Sequence, residues 1–260
     1  INMSSPDSVF PSELSFCAFM PLPESFYKDP KAFGEKPVGN GPYKLESWKH
    51  NQSITLVKNP EYTGVRKVKN DGIDFRVYSQ TTAAYSDVQG GNLDVTNTVP
   101  ATALKNLLTD KTVNAYSKAG PNRIALGIPT DLKHFSGEEG TLRRKAISMA
   151  IDRDLICSKI FHGTRQPAVD FSAPTITGYS DQLANARHLA HNAAQARELW
   201  AQADAISPWS GTLKLSYSAD SNDQAWVEAV ANQIANTLGI SAQAEPWTSR
   251  KELRTAAVDG

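Results

Sequence analysis

Apolar and polar positions change their spacing along the chain. Tyr43 and Leu45 share a two-residue period with Ser47, Ile54 alternates with Leu56, and Ile73, Phe75 and Val77 repeat the pattern. A period of two lines one face of a strand, and Lys49-His50-Asn51-Gln52 between the first two runs predicts a hairpin turn. Beyond residue 140 the period lengthens. Leu142, Ala146, Met149 and Ala150 predict a helix with Thr141 as its N-cap. Asp152 is placed to cap a second helix, Arg153 to Phe161, ended by Gly163. Asn192 is placed to cap a third, with Ala196, Leu199, Trp200 and Ala203 as its apolar stripe. Leu213, Leu215 and Tyr217 alternate as a strand. A helix over about Asp223 to Leu238 then buries Trp226, Val230 and Ile234, Gly239 closes it, and Ile240 to Ala244 forms a strand. Strands alternating with helices of crossover length predict an α/β fold rather than a sandwich.

Between these stretches the pattern is shorter. Phe16, Phe19, Met20 and Leu22 read as one extended segment among prolines, and Thr81 to Gln89 as a helix stopped by Gly90-Gly91. Leu93 and Val95 read as a brief strand, Pro100 as the opening of a helix to about Leu108, and Arg123 to Ile128 as another strand. Gly39 and Gly41 allow positive φ around Asn40, and Pro42 fixes the next torsion, so a tight turn feeds the strand at Tyr43.

Composition narrows the function classes. The 27 basic and 27 acidic residues are spread evenly, 14 and 12 up to Thr130 and 13 and 15 after it, which excludes the clustered basic face of a nucleic-acid binder. No run approaches the 18 or so apolar residues of a membrane span. The chain opens at Ile1 without a charged or apolar leader and closes on Ala256-Ala257-Val258-Asp259-Gly260, so both ends read as cut. Cys17 and Cys157 lie 140 positions apart and read as separate thiols. At this mass a compact fold exposes roughly 11,000 Å².

Chemistry-bearing residues form no catalytic pattern. His188 and His191 have an i, i+3 spacing, but the cap at Asn192 puts His191 outside the helix, and no third ligand is near, so no metal is expected. Gly39-Asn40-Gly41 is a poor phosphate cradle, because Pro42 lacks an N–H and a strand follows. Asp152, Arg153 and Asp154 suit capping and helix-dipole pairing, and Asp94 suits a turn. No nucleophile elbow, P-loop or zinc-protease motif occurs, so no catalytic residue and no cofactor is assigned. A binding protein is the natural reading.

Five segments together resemble the extracellular solute-binding proteins of family 5, the oligopeptide-, dipeptide- and nickel-binding group of ABC importers. Pro37-Val38-Gly39-Asn40-Gly41-Pro42-Tyr43-Lys44-Leu45 resembles its signature, with Asn40 where Thr is usual. Asn59-Pro60-Glu61-Tyr62, Gly91-Asn92-Leu93-Asp94-Val95, Arg144-Lys145-Ala146-Ile147 with Ala150-Ile151-Asp152-Arg153, and Asn192 to Ala203 follow in the family's order. The segment from Phe135 to Arg144 looks like a longer loop than the family's usual spacing.

The resemblance implies a two-lobed fold of the type II periplasmic-binding-protein kind, incomplete at both ends. Residues 1–130 would form part of lobe I and 131–260 the first half of lobe II. It implies a receptor that closes on an extended peptide or other small solute and docks on permease subunits, at the outer face of the membrane or in the periplasm, lipid-anchored or secreted. Gly127, Pro129 and Thr130 would line the hinge. Ligands sit beyond the carboxyl ends of strands in open α/β sheets, so Ser218, Asp220, Asn222 and Asp223 are candidates for the cleft. That loop is acidic, which disfavours a free carboxylate there. In peptide-binding members an acid beyond the equivalent of Gly260 meets the ligand's ammonium group, and with half the cleft wall missing this chain alone is expected to bind peptide weakly or not at all. A metal chelate, haem or oligosaccharide ligand, or a sensing role in a transcription regulator, are the alternatives the scaffold allows.

Overall fold

The computed structural model describes residues 1–184, 186–219 and 221–259. They fall into two compact units, Ile1–Gln80 and Thr81–Gly260.

The first unit opens with short helices: α1 (Phe10–Glu13), α2 (Glu24–Lys28) and α3 (Pro30–Glu35). Asp29 caps α3, accepting from the backbone N–H groups of Lys31 and Ala32 at 3.1 and 2.9 Å. The segment read as extended around Phe16 to Leu22 instead holds a 3₁₀ turn, Cys17–Phe19. Met20 N–H returns to the Cys17 carbonyl, a local bond that replaces the partner strand the segment lacks. Strands β1 (Tyr43–Lys49), β2 (Ser53–Lys58) and β3 (Gly72–Arg76) form an antiparallel sheet in that order. A bulge between Leu45 and Ser47 shifts the register: Leu45 pairs with Leu56, Ser47 with Thr55, and Trp48 with Ile54. Ser47 therefore leaves the face of Tyr43 and Leu45 that strict alternation assigned to it, and Trp48 takes that place. One face of the sheet carries Tyr43, Leu45, Trp48, Ile54, Leu56, Ile73 and Phe75. No described residue of this unit is buried.

In the second unit α4 (Thr81–Gln89) ends where Gly91 adopts φ +74°. The N–H groups of Asn92 and Leu93 bond back to the Asp87 carbonyl, so Leu93 to Val95 closes a helix rather than starting a strand. Helix α5 (Ala101–Leu104) is shorter than expected, because i→i−3 turn bonds at Asn106 and Leu107 replace its last turn. Arg123 to Ile128 is irregular backbone, not a strand, and no strand pairs with it among the described residues. Helix α6 (Gly137–Ala150) begins a turn before Thr141, whose hydroxyl donates to the Gly137 carbonyl from inside the helix. Most of the stretch from Phe135 to Arg144 is therefore helix, not a long loop. Helix α7 (Arg153–Lys159) is capped by Asp152, which accepts from Leu155 N–H at 2.9 Å. Helix α8 (Ala193–Ile206) is capped by Asn192, which accepts from Gln195 N–H at 3.0 Å.

Strand β4 (Thr212–Ser218), helix α9 (Gln224–Leu238) and strand β5 (Ser241–Trp247) make a βαβ unit, and α10 (Arg250–Asp259) follows. β4 and β5 are parallel, in register from Thr212↔Ser241 to Ser218↔Trp247. Gly239, at φ +69°, turns the chain between α9 and β5. No third strand joins this pair among the described residues. Ala146, Ile147, Met149 and Ala150 of α6, Ala196 and Trp200 of α8, and Val227, Val230, Ala231 and Ile234 of α9 pack with Leu215 and Tyr217 as one core.

Between α6 and α8 lies a fully buried Arg143. Its Nε donates to Glu139 at 2.8 Å, and its Nη2 donates to Asp204 at 3.0 Å and to the Ser207 carbonyl at 2.6 Å. The guanidinium lies 4.4 and 5.2 Å from the ring centroids of Trp200 and Trp209. His134 meets the same Glu139 oxygen at 2.7 Å through Nδ1. Large apolar side chains such as Phe16, Phe75 and Phe171 stay in water.

Candidate functional site

Several of the motif residues bond to neighbouring backbone and turns. Asn59 donates through Nδ2 to the Gly41 carbonyl at 2.9 Å and through its backbone N–H to the Pro42 carbonyl at 3.0 Å. The first two resembling segments are thus one interlocked turn, while Gly39 and Gly41 do not use the positive φ open to them. The Tyr43 hydroxyl donates to Asn70. Arg153 bonds the Ser148 and Leu189 carbonyls at 2.9 and 2.7 Å, clamping the end of α6 to the segment before α8. Asp94 stands exposed in a bend. His191 lies 3.8 Å from the Asp152 carboxylate, and no group of three metal-ligating side chains occurs among the described residues.

Among the described residues, the carboxyl ends of the parallel β4 and β5 form an edge built as a ligand shelf is built in α/β folds. Ser218 and Trp247 are the last paired residues, and Ala219 N–H donates to the Trp247 carbonyl at 2.8 Å. The loop then turns tightly, with Ser221 donating to the Ser218 carbonyl through N–H at 3.0 Å and through its hydroxyl at 2.6 Å. Ser218 is buried and Asn222 exposed. Asp220 lies outside the described residues. Asp223 makes no side-chain cap bond to α9; its Oδ1 accepts instead from Trp226 Nε1 at 2.7 Å.

Two groups escaped the pattern analysis, Trp247 on this edge and Arg165 after α7. Trp247 keeps a buried indole N–H that has no partner among the described residues. Arg165 follows α7, whose start is tied to α9 by Asp152 N–H donating to Gln233 at 2.9 Å. Its guanidinium stacks 3.8 Å above the ring of the buried Phe161, a member of the same core as Tyr217 and Val227. Burial lowers the Arg165 pKa, while the nearby Asp223 and Cys157 act in the opposite sense. Burial, and then Asp154, raise that of Cys157. Neither Arg165 nor Trp247 belongs to a motif; only strand pairing brings Trp247 to the start of the loop.

Ser218, Asn222 and Asp223 are therefore gathered at one edge. Gly127, Pro129 and Thr130 stand on a different stretch, in exposed irregular backbone. The edge offers hydrogen-bond donors and aromatic surface.

Comparison with known proteins places this architecture. The family described as bacterial extracellular solute-binding proteins, family 5 (middle region), matches residues 1–260. The dipeptide-binding protein DppE of Bacillus subtilis is 30% identical over 248 residues, which cover 92% of this chain and 45% of that protein. A periplasmic oligopeptide-binding protein of Borrelia burgdorferi, OppAIV, superposes with a TM-score of 0.75 at 25% identity, over 99% of this chain and 50% of its own. The periplasmic binding protein DppA of Helicobacter pylori, solved with the peptide STSA, shares the fold with a TM-score of 0.77 at 23% identity, over 94% and 47%. The chain spans about half the length of these proteins. No helix among the described residues is long and apolar enough to cross a membrane.

Proposed function

This chain belongs to the family 5 bacterial extracellular solute-binding proteins, and on that premise we propose that it forms part of the substrate-binding component of an ABC importer. The receptor closes two lobes on an extended, peptide-like solute and presents it to the permease subunits, at the outer face of the membrane or in the periplasm. Residues 1–130 belong to lobe I and 131–260 to lobe II, with Gly127, Pro129 and Thr130 at the crossing. Ligand contacts in both lobes stabilise the closed state, which couples binding to docking.

The observation that carries this reading is the carboxyl edge of the parallel β4–β5 pair, in a chain whose relatives are named for peptide binding. Ser218, Asn222 and Asp223, with Asp220 of the same loop, border the ligand there. Peptides are held by main-chain hydrogen bonds, with hydrated pockets for side chains, which favours breadth over selectivity. No bond of the ligand is made or broken, and the polar groups of the edge act as binding groups alone. Titration calorimetry of the full-length protein with di- to pentapeptides tests this. Saturable one-to-one binding supports it, whereas heat from haem, a nickel chelate or an oligosaccharide with none from peptides replaces the ligand class.

A further inference from the structure

Asn40-Gly41 is the one Asn-Gly pair in the sequence, and it stands in the turn that feeds β1. An asparagine sets its side-chain amide carbon within a five-membered ring's reach of the next backbone nitrogen. A glycine at that next position has no Cβ to crowd the approach. Folding usually suppresses the reaction, because most backbone N–H groups are taken up in hydrogen bonds and helix or strand fixes the torsions. Neither restraint operates at this turn. Residues 37–42 lie outside helix and strand, and Asn40 is exposed. Among the described residues, the Asn40 amide makes no hydrogen bond and Gly41 N–H has no acceptor. A Cβ at Gly39 would meet nothing within 4 Å, so the approach is open from the preceding side as well. The anchors of the turn are the Gly41 and Pro42 carbonyls, which accept from Asn59 at 2.9 and 3.0 Å. Both lie beyond the reacting nitrogen, so they hold the far side of the turn and leave the Asn40 torsions unpinned.

We propose that Asn40 is a self-modification site, converted by its own backbone to isoaspartate and aspartate. The Gly41 nitrogen gives up its proton to solvent base and attacks Asn40 Cγ. The N–Cγ bond forms, the Cγ–Nδ2 bond breaks, and the amide nitrogen leaves as ammonia. The resulting succinimide takes up one water and opens at either carbonyl. Water is the only co-reactant, and nothing is oxidised or reduced. The product carries a negative charge where Asn40 was neutral. Its isoaspartate form also routes the main chain through Cβ, directly ahead of the Gly41 carbonyl that Asn59 holds. Conversion therefore loosens the interlocked turn that starts the sheet. Threonine, the residue usual at this position of the signature, has no amide and cannot react this way.

The test incubates the full-length protein in ¹⁸O-water at about pH 8, where the base-dependent step is fast, and maps its tryptic peptides by mass spectrometry. Asn40 is expected to convert ahead of every other asparagine, with one ¹⁸O taken up per event. Gly41→Ala is expected to slow the conversion by about tenfold, since a Cβ disfavours the torsions that glycine visits easily. The site accommodates alanine: its φ is not positive, and the nearest atom to a Cβ is the Tyr43 carbonyl oxygen at 3.8 Å. Hydrogen exchange along β1 and β2 is expected to be faster in the converted protein and unchanged in an equally aged Asn40→Thr variant. An intact Asn40 while other asparagines convert overturns the site. So does conversion of Gly41→Ala at the wild-type rate, with circular dichroism matching the wild type. Equal exchange in converted and fresh protein overturns the effect on the turn.

Discussion

Replacing Arg143 by Met removes the guanidinium that bridges Glu139 and Asp204, while keeping most of the buried volume. Three hydrogen bonds disappear, to Glu139, Asp204 and the Ser207 carbonyl. Deleting one partner of a buried ion pair costs about 3–5 kcal/mol, because the other charge stays behind. The structure argues for the lower end. The Asp204 side chain is 39% exposed and recovers water, and Glu139, at 15%, keeps His134. Arg143 also leaves Nη1 without a partner, so the native network is not fully satisfied. About 3 kcal/mol is then a large part of the 5–15 kcal/mol typical of a domain. With a urea slope of about 2 kcal/mol/M, the midpoint falls by about 1.5 M. Tryptophan emission reports this directly, since the rings of Trp200 and Trp209 flank the guanidinium. Combining Arg143→Met with Glu139→Gln and Asp204→Asn removes the stranded charges and is expected to recover most of the loss. The pH dependence adds a sign. Burial pushes the Glu139 carboxyl up, but hydrogen bonds and charge from Arg143 and His134 outweigh it, so its pKa is lowered from 4.5. Its stabilising contribution is present above that ordinary value and is lost as pH falls through the depressed one. The gap between wild type and Arg143→Met should therefore narrow in acid. A midpoint within 0.3 M of wild type at neutral pH, on the order of 0.6 kcal/mol, would refute the reasoning.

Three further predictions concern other parts of the chain. A Cβ at Gly140 would lie 2.1 Å from the Phe135 carbonyl oxygen, so Gly140→Ala is expected to lower thermal stability by about 1–3 kcal/mol despite alanine's better helix propensity; a raised Tm would show that the close approach is not constraining. Asn59→Ala removes the bond to Gly41 and the acceptor for Glu61 N–H, and should cost about 1–2 kcal/mol and speed hydrogen exchange along β1 and β2; unchanged exchange would count against the interlocked turn. Cys157, with its pKa raised by burial and by Asp154, should alkylate with iodoacetamide more slowly at pH 7 than the exposed Cys17 and accelerate as pH rises past 9.0; equal rates at pH 7 would contradict this.

The helices of the second unit were legible because two signals coincide in them. Asp152 and Asn192 combine a capping side chain with an apolar stripe behind it, and both caps form. The βαβ unit was legible for the same reason, with alternation on either side of a helix closed by Gly239. Strands failed where alternation stood alone. Leu93 to Val95 and Arg123 to Ile128 have the right spacing, but a strand exists only with a partner, and none pairs with them among the described residues. The bulge at Glu46 moved Ser47 off its assigned face because one inserted residue inverts a period of two. Arg143 was invisible as a core position, since its partners Asp204 and Ser207 lie some sixty residues away. Much the same holds at the candidate site. The loop from Ser218 to Asp223 was found from strand polarity alone, whereas Trp247 meets its start only through the pairing of β4 with β5.

Native mass spectrometry of the full-length protein, isolated from its own host without denaturation, tests the account most directly. The account predicts a heterogeneous set of added masses that dissociate as short peptides. A single non-peptide mass, such as haem, a metal chelate or an oligosaccharide, recovered in place of peptides would contradict it.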